Sequence, residues 1–135
     1  KFSSSNKINF KTDQKKLFTR GDEDQLNRVF LNLIKNSQES FSEKLQKDPN
    51  FKGIIDIEIT NNKDYIVCNL KDNGSGITDA KKAMTPYFTT KQTGTGLGLP
   101  IVTKIINEHS GSFSIKKNIN KDGTLVKITL PILDE

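Results

Sequence analysis

Apolar residues recur every three or four positions over one long stretch of the chain, and this spacing predicts an amphipathic helix. The stretch is GDEDQLNRVFLNLIKNSQESFSEKLQKD, residues 21–48. Asp22 is suited to cap its N-terminus, and Gln25, three positions further on, is the expected partner in a capping box. We expect one face of this helix to be buried, and that face carries Leu26, Val29, Phe30, Leu33, Ser37, Phe41 and Leu45.

Shorter stretches alternate apolar and polar residues, which predicts strands. Six stretches follow this rule, the last four of them paired as two hairpins: INFKT, KLFTR, GIIDIEIT, YIVCNLKD, SFSIKK and TLVKITLP. A second helix is predicted over PIVTKIINEH, residues 100–109, because Pro100 suits a first helical turn. Along the chain, the predicted strands do not alternate strictly with the two substantial helices. This order favours an α+β sandwich over a doubly wound parallel sheet.

The length of the chain limits it to one domain, since 135 residues can bury a core but not two. We expect residues 1–6 to be the tail of a linker from a preceding domain, and residues 7–135 to be the domain itself. The single cysteine, Cys68, excludes an internal disulfide and fits a reducing compartment. No apolar run approaches the ~20 residues of a membrane helix.

The net charge of +5 would suit a protein that binds nucleic acid, but the arrangement of the charges argues against it. The lysines are scattered among acids, as in KTDQKK and TDAKKA, and few aromatic residues lie among them to stack on bases. We therefore expect no nucleic-acid partner and a solvated, lysine-rich surface. An anionic ligand or an acidic partner protein remains compatible with the charge.

The glycine-rich stretch TGTGLGLPIV, residues 93–102, is the densest local signal in the chain. It fails as a dinucleotide-binding fingerprint, because no strand pattern precedes it and Ile101 stands where a third glycine is needed. It also fails as a P-loop, because no Gly-Lys-Ser or Gly-Lys-Thr occurs in the sequence. Two interpretations remain open: its amides lead into a helix N-terminus that suits a phosphate, or its glycines allow close helix packing.

The stretch KDNGSGI, residues 71–77, carries a carboxylate at the edge of the predicted core. Asp72 has the strand parity of the apolar residues Ile66, Cys68 and Leu70, so it points to their face. A buried carboxylate needs a partner, and the amino group of a ligand would serve. An Asn-Gly hairpin turn is the alternative, but no second strand pattern follows, so Gly74 and Gly76 are placed to let a flat ligand approach the backbone.

Two further stretches carry candidate ligand-binding residues. Asn32 and Asn36 are four positions apart on the long helix and share a face at the edge of its apolar stripe. Magnesium with bound phosphates takes only one or two protein ligands, so one asparagine could suffice. In TPYFTTK, aromatic residues to pack a mobile segment are followed by hydroxyls and Lys91.

In chain order, these four stretches resemble the N, G1, F and G2 boxes of the GHKL ATP-binding superfamily: RGDEDQLNRVFLNLIKNSQES, DNGSGI, PYFTTK and GTGLGLPIV. From about Arg20 to Pro131 the chain is similar to the catalytic ATP-binding domain of bacterial sensor histidine kinases, and most similar to nitrogen-regulation kinases of the NtrB/NtrY kind. The resemblance implies a Bergerat fold, a two-layer sandwich in which a mixed, mostly antiparallel sheet packs against about three helices and carries a mobile ATP lid.

The resemblance also implies roles for individual residues. Asn36 would ligate Mg²⁺, and Asn32 would support it or contact phosphate. Asp72 would accept a hydrogen bond from the adenine amino group. The purine slot, the lid anchor and the phosphate-binding segment would be formed by Gly74, Gly76, Ile77, Phe88, Lys91, Gly94, Thr95, Gly96, Leu97, Gly98 and Leu99. Many relatives carry a basic residue where this chain has Glu39, which leaves Lys35 or Lys91 to neutralise the phosphates.

The implied activity is that of a protein histidine kinase in a two-component phosphorelay, with ATP and Mg²⁺ as cofactors. Hydrolysing relatives carry a glutamate base where this chain has Asn32, which disfavours ATP hydrolysis. His109 is expected to cap a helix C-terminus, where a cation is welcome, so the phosphate acceptor would be a histidine on a separate dimerisation domain. We therefore expect this chain to bind ATP without phosphorylating itself.

The implied partners are that dimerisation domain, in a homodimer, and a downstream response regulator. The domain would be cytoplasmic without direct membrane contact, which leaves open whether the full-length protein is anchored in the inner membrane. The alternative is another GHKL module, such as an anti-sigma-type serine kinase or an ATPase clamp.

Overall fold

The strands form one mixed sheet in the order β1-β2-β3-β5-β4. The computed structural model describes residues 6–13, 16–75, 98–117 and 122–133. The elements in chain order are β1 (Lys7–Thr12), α1 (Glu23–Lys47), β2 (Ile54–Asn61), β3 (Tyr65–Asp72), α2 (Gly98–Glu108), β4 (Ser112–Lys117) and β5 (Thr124–Pro131). β1 pairs with β2 in parallel, and every other pairing is antiparallel. The expected α+β sandwich with a mostly antiparallel sheet is confirmed.

Both helices contribute to one core that covers a single face of the sheet. Ile55, Leu70 and Val126 lie on that face, and the register places Leu70 opposite Val126. Val29 and Leu33 of α1 and Val102 and Ile106 of α2 are almost completely buried against it. The remaining core residues on strands, Cys68, Ile128 and Leu130, have the inward parity that the alternation of the strands predicts.

The structure confirms the capped N-terminus of α1 but corrects the face that it buries. Oδ1 of Asp22 accepts a hydrogen bond from the backbone N–H of Gln25 at 3.0 Å. Leu45, which we expected to be buried, is 43% exposed. With 3.6 residues per turn, the inward face that includes Ser37 and Ser40 continues to Lys44 rather than to Leu45. The ammonium group of Lys44 lies 5.0 Å from the centre of the Phe51 ring.

Five of the six predicted strands are confirmed, and the prediction of a strand at KLFTR is wrong. Residues 16–20 form no strand, although the carbonyl oxygen of Phe18 accepts a hydrogen bond from the N–H of Leu133 at 2.7 Å. This hydrogen bond joins the segment to the chain that follows β5, beyond the end of the sheet. The described residues contain two helices, and the expected ATP lid lies outside them.

Candidate functional site

A buried carboxylate at the end of β3 is the central feature of the site. Asp72 is 7% exposed, as its inward strand parity predicted. Its Oδ2 atom accepts a hydrogen bond from the hydroxyl of Ser37 at 2.7 Å. Its Oδ1 atom accepts from the backbone N–H of Gly74 at 3.0 Å and of Thr124 at 3.3 Å. These donors offset the cost of taking the charge out of water.

The start of β5 approaches Asp72 closely because residue 123 is a glycine. Gly123 has φ of +123°, a conformation that residues with a side chain rarely adopt. A Cβ atom there would overlap the carbonyl oxygen of Asp72. The turn therefore brings the backbone N–H of Thr124, which is itself buried, to the carboxylate.

The loop that follows β3 is tied to α1 by several hydrogen bonds. The backbone N–H of Ser75 donates to Oγ of Ser40 at 2.6 Å, and the hydroxyl of Ser75 donates to Oε2 of Glu43 at 3.0 Å. The ammonium group of Lys44 donates to the carbonyl oxygen of Asn73 at 3.2 Å. The same helix that carries Asn36 therefore holds the loop that directly follows Asp72.

Gly74 has a packing reason for being glycine as well as the predicted ligand-binding one. It is buried, and a Cβ atom at this position would overlap the side chain of Ser40. Packing against α1 therefore already requires a residue without a side chain at position 74. A role for the backbone of Gly74 in approaching a flat ligand stays a prediction.

The predicted metal ligand, Asn36, lies beside the first residue of α2. A Cβ atom built on Gly98 would be 3.7 Å from both Oδ1 and Nδ2 of the Asn36 amide. Asn36 is half-buried, and so is Asn32, one turn earlier on α1. The first turn of a helix leaves backbone N–H groups without partners inside the helix and carries a partial positive charge. The amide of Asn36 and the N-terminal end of α2 are therefore neighbours.

Leu99, the next residue of α2, has its side chain in the core and is 7% exposed. Only its backbone is then available to a ligand. The other predicted site residues lie outside the described residues: Gly76, Ile77, Phe88, Lys91, Gly94, Thr95, Gly96 and Leu97. Of the candidates that are described, the fold brings Asp72 and Gly74 together at the end of β3, and Asn36 and Gly98 together where α1 meets α2.

Sequence reasoning missed the hydroxyl groups that organise the site. Ser37 was assigned to the buried face of α1 without a role, and Ser40 and Ser75 were not singled out. Ser37 and Ser40 are 3% and 5% exposed, so each hydroxyl needs a hydrogen-bond partner. The signal present in the sequence is a pair of hydroxyl residues on the apolar face of a predicted helix. The hydrogen-bond partner of each hydroxyl lies 35 positions away in the sequence, so a local pattern does not identify it.

Two kinds of feature are absent from the described ranges. No group of three or more histidine, cysteine, aspartate or glutamate side chains is arranged there to hold a metal ion. No helix in these ranges is both long enough and apolar enough to cross a membrane.

The comparison with known families agrees with this geometry. Residues 21–134 match the family described as histidine kinase-, DNA gyrase B-, and HSP90-like ATPase. The chain belongs to this family. Among solved structures, the nucleotide-free catalytic domain of the histidine kinase ThkA superposes with a TM-score of 0.76 at 26% identity, covering 94% of this chain and 80% of that one. The five-stranded sheet with its helices is thus the fold of a histidine kinase catalytic domain.

Two curated relatives of this ATPase-family chain show how far the match extends. Sporulation kinase B of Bacillus subtilis (strain 168) is 39% identical over 117 residues, which cover 85% of this chain and 26% of that protein. The sensory histidine kinase/phosphatase NtrB of Azospirillum brasilense is 32% identical over 124 residues, which cover 85% and 30%. The chain spans less than a third of either relative. Sensor histidine kinases of several kinds match, and the NtrB/NtrY kind is not singled out among them.

Proposed function

We propose that residues 7–135 form the ATP- and Mg²⁺-binding catalytic domain of a two-component sensor histidine kinase. The domain presents the γ-phosphate of ATP to a histidine on a separate dimerisation domain of the same protein. The observation that carries the proposal is the carboxylate of Asp72, buried at the end of β3 and held there by three hydrogen bonds. An ionised carboxylate only accepts hydrogen bonds, which suits the amino group of adenine.

The phosphate end of the nucleotide is assigned to the start of α2. Its backbone N–H groups and partial positive charge favour an anion. The segment Gly94–Leu99 would supply amides to the phosphates, with Lys91 or Lys35 adding positive charge. Phe88 would anchor the lid over the nucleotide, and Gly76 and Ile77 would line the purine slot with Gly74.

The residues present fit a magnesium ion held mainly by the nucleotide. Mg²⁺ in such sites takes one or two protein ligands in addition to phosphate oxygens and water, and Asn36 offers an amide oxygen next to the anion-binding end of α2. Asn32 would support it or contact phosphate. When bound, the ion neutralises charge on the phosphates during phosphoryl transfer. The chain's own residues have only to position the nucleotide.

Transfer to a protein side chain is favoured over hydrolysis because position 32 is an asparagine. Members of the superfamily that hydrolyse ATP carry a glutamate at this position as the general base for water. The amide of an asparagine does not serve as such a base. The acceptor histidine, the homodimer interface and the response regulator belong to the rest of the protein, and the domain works in the cytoplasm. An NtrB/NtrY-type role in nitrogen regulation is a narrower proposal, supported by the TTK…GTGLGL form of the last two boxes.

Calorimetric titration with ADP in the presence of Mg²⁺ tests adenine recognition. We expect Asp72→Asn to lower the affinity at least about tenfold, because the amide group replaces an acceptor by a donor at the base. Asp56→Asn is the matched control, since Asp56 is exposed on the neighbouring strand β2. Equal affinity of Asp72→Asn and the unaltered protein would contradict the proposal.

Transfer is tested by mixing the domain with the histidine-bearing dimerisation domain of its own protein and labelled ATP. Acid-labile phosphohistidine on the dimerisation domain is the expected product. Phosphoserine on another protein, or free phosphate alone, would instead favour the anti-sigma-type kinase or the ATPase clamp.

A further inference from the structure

We propose that Ser37 is a positioning residue that sets the base specificity of this site. Its hydroxyl keeps Asp72 as an oriented carboxylate that only accepts hydrogen bonds, so that a purine with a 6-amino group is bound and one with a 6-oxo group is rejected. This inference rests on the proposed function, because it assumes that Asp72 meets the base of the nucleotide.

The contact between the two side chains is short and buried. Oγ of Ser37 lies 2.7 Å from Oδ2 of Asp72, and the two residues are 3% and 7% exposed. A hydroxyl at this distance from an ionised carboxylate makes a charge-assisted hydrogen bond, which is about twice as strong as a neutral one. The low dielectric of the surroundings strengthens it further.

The two carboxylate oxygens of Asp72 are held in different ways. Oδ1 accepts from two backbone N–H groups, those of Gly74 and Thr124, which fill its two lone pairs. Oδ2 accepts from a side chain, that of Ser37. One lone pair of Oδ2 is then left to accept from a ligand, so Ser37 shares the oxygen atom that would meet the purine 6-position.

Removing the hydroxyl changes what that oxygen can do. Without Ser37, Oδ2 loses the side-chain donor that holds it in place. A 6-amino purine offers a donor to that oriented oxygen, whereas a 6-oxo purine offers a second acceptor at the same place. The hydroxyl therefore favours 6-amino over 6-oxo purines by holding Oδ2 where it accepts from the ligand.

The place of Ser37 on α1 argues that its hydroxyl has this role rather than a packing role. Of the other buried residues of α1, Val29, Leu33 and Phe41 are apolar, and Ser40 bonds to the loop that follows β3. A hydroxyl in such a row costs free energy unless it has a partner, and its partner is Asp72. Ser37 also follows Asn36 directly, so one short segment of α1 links the base-reading carboxylate to the predicted metal ligand.

The test measures the affinities of ADP and of inosine diphosphate (IDP), a 6-oxo purine nucleotide, by calorimetry in the presence of Mg²⁺. For Ser37→Ala we expect ADP affinity to fall about tenfold. IDP affinity should change less than about threefold, so that the preference for ADP narrows. Ser42→Ala is the matched control, because Ser42 is exposed on the same helix and its hydroxyl bonds to the carbonyl oxygen of Gln38. That variant should keep the unaltered ratio.

A merely structural role for Ser37 predicts a different result. The melting temperature of Ser37→Ala would fall while the ratio of ADP to IDP affinity stayed constant, and a constant ratio overturns the inference. If Ser37→Ala does not fold, Ser37→Cys carries the same test, since a thiol is a weaker donor of similar size. Failure of the proposed function is seen separately, as unchanged ADP affinity in Asp72→Asn.

Discussion

Nε2 of His109 accepts a hydrogen bond from the backbone N–H of Asp22 at 3.0 Å, and Nδ1 of the same ring lies 2.8 Å from the carbonyl oxygen of Ile105. Nε2 can accept only when it carries no proton, so Nδ1 holds the proton and donates to Ile105. The ring joins the C-terminal end of α2 to the residue that caps α1. The predicted helix cap at His109 is therefore present.

His109→Ala should lower the free energy of unfolding by about 1–3 kcal/mol, because the variant leaves the N–H of Asp22 and the carbonyl of Ile105 without this partner. Urea denaturation followed by circular dichroism measures the change. Asn107→Ala is the control, since Asn107 is exposed on the same helix. Equal stability of the two variants would show that the ring does not hold the helices together.

Gly74→Ala should destabilise the domain by about 1–3 kcal/mol, because the added methyl group overlaps Ser40 and must push the loop from α1. Gly98→Ala is the matched substitution, since its Cβ would make an ordinary contact of 3.7 Å with the Asn36 amide. Thermal unfolding of both variants checks the contrast. The packing argument fails if both substitutions cost the same.

Asn36→Ala should remove most of the gain in ATP affinity that Mg²⁺ produces, with affinity in excess chelator unchanged. The physical reason is the loss of the amide oxygen that would ligate the ion beside the start of α2. Calorimetric titrations with and without Mg²⁺ measure the effect. Asn27→Ala, at an exposed position of the same helix, should behave like the unaltered protein; an intact magnesium dependence in Asn36→Ala would refute the assignment.

Stability should fall at alkaline pH because of one buried thiol. Burial raises the pKa of Cys68 from its ordinary value of 9.0 to about 11. Above pH 9 the unfolded chain releases this proton while the folded protein retains it, so the contribution is complete below pH 9 and is lost as the pH rises through 11. The expected slope is roughly 1 kcal/mol per pH unit.

Urea denaturation of the unaltered protein and of Cys68→Ala between pH 8 and about 11 isolates this contribution, because the other titrating groups are common to both. The difference between the free energies of unfolding of the two proteins should narrow as the pH rises, because the unaltered protein loses the stability that its protonated thiol contributes. Parallel curves would mean that burial does not hold the proton on Cys68.

Most of the elements could be predicted from the sequence, because apolar periodicity reports locally which face of a segment is buried. Asp22 as the cap of α1 and Asp72 as an inward carboxylate were predicted in this way and are confirmed. The strand predicted at KLFTR and the burial predicted for Leu45 are wrong. Strand formation at KLFTR and burial of Leu45 both depend on whether another element lies beside them. A local sequence pattern does not contain that information.

The sequence by itself determined the order of the helices and strands, the apolar face of most of them, and the residue types gathered for a nucleotide. The tertiary structure decided which of those residues meet. Ser37 reaches Asp72 because α1 packs against the sheet, and His109 reaches Asp22 across 87 positions because α1 and α2 pack together. Periodicity is a property of neighbours along the chain, whereas a hydrogen bond between distant side chains depends on how whole elements are placed.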